Sequence, residues 1–212
     1  MSRSVRSWAP VACLALAGCG GFFESKVAAP QTYVLRLPPP AASENALTTG
    51  SILVQRPEAS PGLDSNRIAM LRDDRRFDFF AASLWAAPAP DVIESVVVDA
   101  LRGTGKFSAV FDDAAPFAPR YDLRVTVRRF EADYTSGEIP TVHVVLDCTL
   151  GRHRDRVLLS SFSARGSARA DADRVSSVVA AFETAMAAAA AELTQSTTAA
   201  IVAEKPSPEG GR

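Results

Sequence analysis

The clearest chemistry in this sequence belongs to one cysteine near its start. Cys19 directly follows Leu16-Ala17-Gly18. Upstream lie Arg3 and Arg6, and then the apolar stretch 8–17. A basic start, a short apolar stretch and small residues before a cleavage point are the three parts of a signal peptide. Because ten residues are too few to span a bilayer as a helix, we predict that this segment is removed and that the Cys19 thiol becomes modified.

The four residues ending at Cys19 resemble the lipobox of bacterial lipoproteins. In a lipobox, small residues let the scissile bond enter a narrow peptidase site, and the cysteine thiol carries a diacylglycerol thioether. The resemblance implies a signal peptide at residues 1–18, lipidation of Cys19 and a lipid-anchored tether at residues 19–31. Each buried CH2 of the acyl chains adds about 0.8 kcal/mol of membrane affinity. Gly20 stands where an aspartate favours inner-membrane retention, which implies an outer-membrane anchor facing the periplasm.

A metal site would require several converging ligands, and the sequence offers few. His143 and Asp147 are four residues apart and share one face of a predicted strand. Cys148 points to the opposite face, and His153 falls in a turn. Two groups are too few for a closed zinc site, so we predict no bound metal.

Catalytic patterns are equally sparse. There is no Gly-x-Ser-x-Gly elbow, and Cys148 is predicted to be a small core residue on an apolar strand face. The glycines of 103–105 follow a helix, whereas a phosphate-binding loop precedes one. We therefore predict a protein without enzymatic activity, without catalytic residues and without a cofactor.

A dense group of apolar side chains is the best candidate for a partner-binding surface. Its members are Phe79, Phe80, Leu84 and Trp85, at the end of a predicted hairpin and just beyond it. Alternation along a strand would bury about half of them, and the others would form an exposed apolar patch of the kind that marks partner sites. For Trp85, both a core position and a partner surface remain open.

Composition restricts the class of protein. The chain has 212 residues, with 23 basic and 24 acidic side chains. Removal of a signal containing Arg3 and Arg6 would leave a net charge of −3, without the basic bias of a nucleic-acid-binding protein. The remaining length suits one domain, at residues 32–203, followed by a polar tail at residues 204–212 that we predict to be disordered.

Hydrophobic periodicity predicts an α+β fold. Alternating patterns indicate strands, and two longer stretches with apolar residues at helical spacing begin at Asp91 and Asp171. The polar outer face of the strands suits an antiparallel sheet with one solvated side. We expect a mixed, mostly antiparallel sheet with both helices on one face. Strands are predicted at residues 31–37, 51–56, 67–72, 76–80, 107–111, 121–128, 141–150 and 157–168.

A series of short motifs resembles the ABC-type transport auxiliary lipoprotein family, the PqiC-like proteins. Each motif alone is weak, and the resemblance rests on their order and spacing over residues 30–200. They are the lipobox, Tyr33-Val-Leu35, Ile52-Leu-Val54, Pro61-Gly-Leu-Asp64, Arg67-Ile-Ala69, Phe79-Phe80, Leu84-Trp85-Ala86, Leu101-Arg-Gly-Thr-Gly105, Phe107 to Val110, Tyr121-Asp-Leu123 and Phe130-Glu131.

This resemblance implies a non-catalytic part of an MCE-type lipid transport system. An ABC transporter complex would supply ATP hydrolysis, and an MCE-domain protein would form the conduit that the lipoprotein docks at the outer membrane. Assembly into a homo-oligomeric ring is compatible with that role. Two alternatives remain open: a periplasmic lipid-binding carrier, and an assembly lipoprotein of an unrelated envelope complex.

Overall fold

The computed structural model describes residues 29–37 and 50–204. The predicted signal peptide, Cys19, the tether up to residue 28 and the tail beyond residue 204 lie outside this range. In chain order the elements are β1 (Gln31–Tyr33), β2 (Ser51–Val54), β3 (Glu58–Ala59), β4 (Arg67–Leu71), β5 (Phe77–Trp85), α1 (Ala89–Gly103), β6 (Ala109–Phe111), β7 (Tyr121–Asp133), β8 (Thr141–Arg152), β9 (Leu158–Arg169) and α2 (Val175–Val202).

The longest strand, β7, organises the sheet. Along one edge it pairs antiparallel with β8, which pairs antiparallel with β9. Along its other edge the short strands β2, β3 and β4 follow one another, all parallel to β7. Strand β6 extends the sheet beside β2, and β5 and then β1 extend it beside β4. The predicted α+β class with a mixed sheet is thus confirmed. The long strands form its antiparallel part, and short parallel strands complete it.

Most elements lie close to their predicted positions, with several differences. Strand β7 runs to Asp133, five residues beyond its predicted end, and helix α2 begins at Val175, four residues after the predicted Asp171. Strand β1 ends at Tyr33, although alternation continues to Leu37. Strand β5 runs as far as Trp85, five residues beyond the predicted end of the hairpin. Strand β3 was not predicted, because two residues are too short to show a period. Alternation detects only strands long enough to repeat it.

Strand β7 changes the side chains that it presents to the core halfway along its length. Val125 and Val127 are buried as alternation requires, and a bulge then follows at residues 128–129. One extra residue reverses the phase of the strand, so Phe130 and Ala132 become the buried positions. The bulge thereby directs the Phe130 ring toward the helices.

Helix α2 packs across β8 and β9 and forms the centre of the core. Thirteen of its residues are buried, Phe182, Ala185, Met186 and Ala189 completely. Both carboxylates of α2 accept hydrogen bonds from backbone N–H groups of neighbouring segments. Glu183 Oε1 accepts a hydrogen bond from the Arg36 N–H at 2.9 Å, and Glu192 Oε2 accepts one from the Arg165 N–H at 2.7 Å. The helix is therefore fastened to the chain on both of its sides.

By length and composition alone, α2 would also qualify as a membrane span. Half of its most apolar window is buried inside the domain. A helix that is apolar on most sides and covered by a sheet has the character of a core helix, and the packing on β8 and β9 explains its apolar composition.

Helix α1 lies beside α2. Its residues Ile93, Val97 and Leu101 are completely buried at helical spacing. Pro90 in the first turn removes an N–H that would have no partner there. The helix begins at Ala89, two residues before the predicted Asp91, and its exposed side borders the groove described below.

The end of α2 is fastened to the sheet through one carboxylate. Glu204 accepts hydrogen bonds from the Tyr121 hydroxyl and from Arg152 Nε, each at 2.7 Å. Burial alone would raise the pKa of Glu204, but these two donors outweigh it and hold the pKa below its usual 4.5. A lowered pKa means that the carboxylate stabilises the fold at neutral pH and loses this effect as the pH falls through that pKa.

Replacing Glu204 with glutamine is expected to lower the free energy of unfolding by about 1 kcal/mol at pH 7. At pH 3 the difference from the wild type should be smaller, because the wild-type carboxyl is then increasingly protonated. Urea unfolding at the two pH values measures both. The matched control is Glu138→Gln on an exposed residue. An unchanged difference between pH 7 and pH 3 would contradict the assignment.

Candidate functional site: a groove between the helices

Trp85, one of the four predicted partner-contact residues, lies in the core. Its side chain is 1% exposed and packs against Phe130 and Phe182, with ring centroids 5.7 Å and 5.1 Å away. Of the two alternatives left open for Trp85, the structure has the core position. An irregularity in the β4–β5 register around Ala82, whose φ is 49°, changes the phase of β5 before it reaches Trp85. Alternation counted from Phe79 cannot anticipate that change.

The other three residues of the predicted surface are half-buried. Phe79 and Phe80 pack against the edge of the core. The Arg67 guanidinium lies 3.7 Å above the Phe79 ring, and Phe80 lies beside Tyr134. Leu84 is also partly exposed. Partner contact by Phe79, Phe80 and Leu84 stays a prediction.

Cys148 occupies a buried position and is not a nucleophile in this environment. Burial, reinforced by the nearby carboxylates of Asp147 and Glu192, raises the pKa of its thiol to about 12. A thiol in that state carries almost no thiolate, which is the reactive form.

The residues considered for a metal site contact other partners, and His143 Nε2 lies 3.9 Å from Asp133. Asp147 binds Arg128 and Ser163, at 2.7 Å and 2.6 Å. His153 Nδ1 lies 2.8 Å from a carboxylate oxygen of Asp122. Within residues 29–37 and 50–204, no three His, Cys, Asp or Glu side chains come together in a way that could hold a metal ion.

A concave surface lies between α1 and α2. This groove has a volume of about 950 Å³, within the usual range for ligand pockets. The segment from Val34 to Leu37 and the two residues after Trp85 line it together with the helices. Its apolar lining consists of Val34, Leu35, Leu37, Ala86, Ala87, Val92, Val96, Ala100, Ala187, Ala190 and Ala191.

Small side chains make the groove. On α2 the wall is formed by Ala187, Ala190 and Ala191, followed by Thr194. These positions are three or four residues apart and so share one side of the helix. Because alanine has no side chain beyond Cβ, the two helices leave a space between them along this side. The space is open to solvent, since Val34 is 55% exposed.

On α1, apolar residues that line the groove are each preceded in the sequence by a polar or acidic residue at its border. Val92, Val96 and Ala100 line the groove, and Asp91, Ser95 and Asp99 follow along its border. Beyond the border, Glu94 lies near Asp112 and Asp113. We call Asp91, Glu94, Asp99, Asp112 and Asp113 the acidic patch.

The acidic patch contains more carboxylates than its basic neighbours balance. Two guanidinium groups accompany its five carboxylates. Arg56 Nε lies 2.6 Å from Asp91, and Arg102 lies 3.7 Å from Asp99. The pKa of Glu94 is raised, mainly by burial, and repulsion from the neighbouring aspartates adds to this effect although the Asp113 N–H opposes it. The patch therefore has unbalanced negative charge beside an apolar surface.

The groove was not predicted from the sequence. One sign of it there is the width of the apolar stripe on α1, whose helical spacing places on one face Val92, Ile93, Val96, Val97, Ala100 and Leu101. In the structure only part of this stripe covers the sheet, and Val92 and Ala100 remain half-buried at the groove. A stripe wider than the core contact requires, facing a run of alanines, is the pattern that indicates such a groove.

Comparisons with known proteins agree on the fold. A family model described as the ABC-type transport auxiliary lipoprotein component matches residues 33–194. A crystal structure of a DUF330-family protein from Xanthomonas campestris is similar over 80% of this chain and 96% of its own, with 26% identity and a TM-score of 0.73.

A second solved structure, of an uncharacterized protein, covers 79% of this chain and 98% of its own. Its identity is 16% and its TM-score is 0.61, so this likeness concerns the fold alone. No curated protein matches the sequence.

Proposed function

This chain belongs to the family of ABC-type transport auxiliary lipoprotein components, and from that membership we propose that it is a non-catalytic, lipid-anchored component of an MCE-type lipid transport system. In this role Cys19 carries the lipid anchor at the outer membrane. The folded domain faces the periplasm and docks the conduit formed by an MCE-domain protein, whose ABC transporter supplies the energy.

The family match over residues 33–194 is the observation that carries the proposal. The structure adds two supporting features. The groove between α1 and α2 is lined mainly by apolar side chains, as suits the docking of another apolar surface. Two residues considered as reactive groups are not poised for chemistry, since Cys148 is buried and Asp147 is engaged in an ion pair on the sheet. This arrangement suits a binding role better than a catalytic one.

Recovery of partners from cross-linked membranes tests this proposal. A tagged full-length chain is expected to bring down an MCE-domain protein together with its ABC transporter subunits, identified by mass spectrometry. Deletion of the chain should impair assembly of that complex and alter the lipid composition of the envelope. Recovery of a different envelope complex without any MCE-domain protein would overturn the proposed role.

Replacing Cys19 with alanine is expected to abolish membrane attachment of the processed chain. Without the thiol there is no diacylglycerol thioether, and the affinity contributed by about 0.8 kcal/mol per buried CH2 is lost. Membrane fractionation should show at least about a tenfold loss of the membrane-bound fraction. Cys148→Ala, at the buried cysteine, is the matched control and should leave the chain in the membrane fraction. Equal attachment of the Cys19→Ala chain would contradict lipidation at this residue.

The volume and apolar lining of the groove, taken without the charge beside it, support one second candidate function, a periplasmic lipid-binding carrier. A volume of about 950 Å³ with an apolar lining is large enough to receive part of a lipid. Mass spectrometry of lipids extracted from a purified chain distinguishes this role, because a carrier should retain lipid in equal proportion to protein.

A further inference from the structure

We infer that the groove between α1 and α2 receives an amphipathic helix with basic flanking residues, contributed by the protein that this lipoprotein docks. The inference rests on the proposed docking function and assigns its surface. Two independent features meet here: an apolar groove, and the acidic patch along its α1 border. An occupant that satisfies both must be apolar on one side and cationic beside it.

The shape of the groove suits a helix. It is an open trough between two helices, with one wall formed by the small residues Ala187 and Ala191 on α2. Small residues at this spacing permit close approach of a third helix, since interaxial distances near 8 Å occur only where the contacting side chains are small. The other wall offers the larger side chains of Val92 and Val96. Amphipathic helices bind such grooves through apolar residues that recur every three or four positions.

The charge beside the groove indicates a cationic partner surface. Asp91 and Asp99 lie on the border itself, and Glu94 and two further aspartates lie behind them. Asp99 is mostly exposed, with 76% of its side chain accessible, and its contact to Arg102 is 3.7 Å long. A lysine or arginine on the flank of a docked helix would meet these carboxylates at the rim, where complementary charges contribute specificity.

The same charge disfavours an anionic phospholipid as the occupant. Acyl chains would suit the apolar lining, but the phosphate group would then lie against five carboxylates and two guanidinium groups. Like charges brought together at a binding surface reduce affinity. The groove is also open to solvent, whereas lipid chains are best protected in an enclosed cavity.

Site-specific photo-cross-linking in cells tests this assignment with the full-length chain. A benzophenone amino acid replaces Ala191, which lies in the groove, or Ala199, an exposed alanine two turns further along α2 that does not line it. Mass spectrometry then identifies the mass and sequence of each adduct. Position 191 is expected to give at least about tenfold more adduct than position 199, joined to a protein segment with apolar residues at helical spacing and flanking Lys or Arg.

A charge reversal provides the second readout. Asp99→Lys is expected to lower the yield from position 191 by about fivefold, because it removes an attraction and adds a repulsion at the rim. Glu138→Lys reverses an exposed acidic residue outside the patch and should leave the yield unchanged. Circular dichroism of the purified variants checks that both fold.

Several results would overturn the inference. They are an adduct with the mass of a phospholipid, an adduct with a second copy of this chain, equal yields from positions 191 and 199, and a yield indifferent to Asp99→Lys. If the pull-down recovers the MCE-domain protein but the groove gives one of these results, docking stands and only its assigned surface is wrong. If the pull-down fails, the proposed function itself is wrong.

Discussion

Replacing Phe182 with alanine is expected to lower the free energy of unfolding by about 4 kcal/mol. Phe182 is completely buried on α2, and its ring lies 4.8 Å from Phe130 of β7 and 5.1 Å from Trp85 of β5. The three rings join the central helix to two separate parts of the sheet. Truncation removes the apolar contacts of one ring and leaves a cavity that the rigid sheet closes only in part.

Urea denaturation at pH 7 measures this effect through the midpoint at constant slope. The matched control is Phe117→Ala, because Phe117 is 65% exposed and contacts the ring of Phe111 at a centroid distance of 5.7 Å. That change should cost less than about 1 kcal/mol. Equal losses for the two variants would show that the aromatic cluster is not the centre of the core.

Replacing Gly166 with alanine is expected to cost about 3 kcal/mol, at the upper end of the usual range for overpacking. A Cβ at this position of β9 would lie 1.9 Å from the carbonyl oxygen of Ala185 and 3.0 Å from the backbone nitrogen of Ala189. These are backbone atoms of α2, so no side chain can rotate away. The helix has to move off the sheet, or β9 has to bend.

The control for this variant is Gly151→Ala, also in the β-sheet. A Cβ there would meet only the carbonyl oxygen of Val157, at an ordinary 3.5 Å, so the loss should stay below about 1 kcal/mol. The Gly166→Ala change is also expected to affect the groove. Because Ala187 and Ala191 lie on the same helix, a shift of α2 should also change the cross-linking yield from position 191. Similar stability of the two variants would rule out the close approach of α2 to β9.

Much of the sheet follows from local patterns in the sequence. From Val142 to Leu150 every second side chain is apolar, and all five of these side chains are buried. This succeeds because β8 is paired along both edges and packed on one face, so burial follows the two-residue period of the strand. The same reasoning identified α2, whose apolar residues recur over 28 positions.

Trp85 shows where local patterns stop. Its large apolar side chain and its aromatic neighbours were consistent with either a core position or an exposed one. The irregularity in strand pairing near Ala82 turns the side chain into the core. A bulge depends on how two strands pair, and pairing joins residues far apart in the chain. The bulge at Arg129 of β7 is of the same kind, because it appears only against the register of β8.

The sequence by itself determined the α+β class, the main strands, both helices and the family to which the chain belongs, because each depends on periodicity or on the order of short motifs. Lipidation of Cys19 is likewise a prediction from sequence alone. Only the tertiary structure decided that Trp85 is buried and that Val92 and Ala191 face one another across a groove beside the acidic patch. These features arise from the placement of α1 against α2, which no local pattern contains.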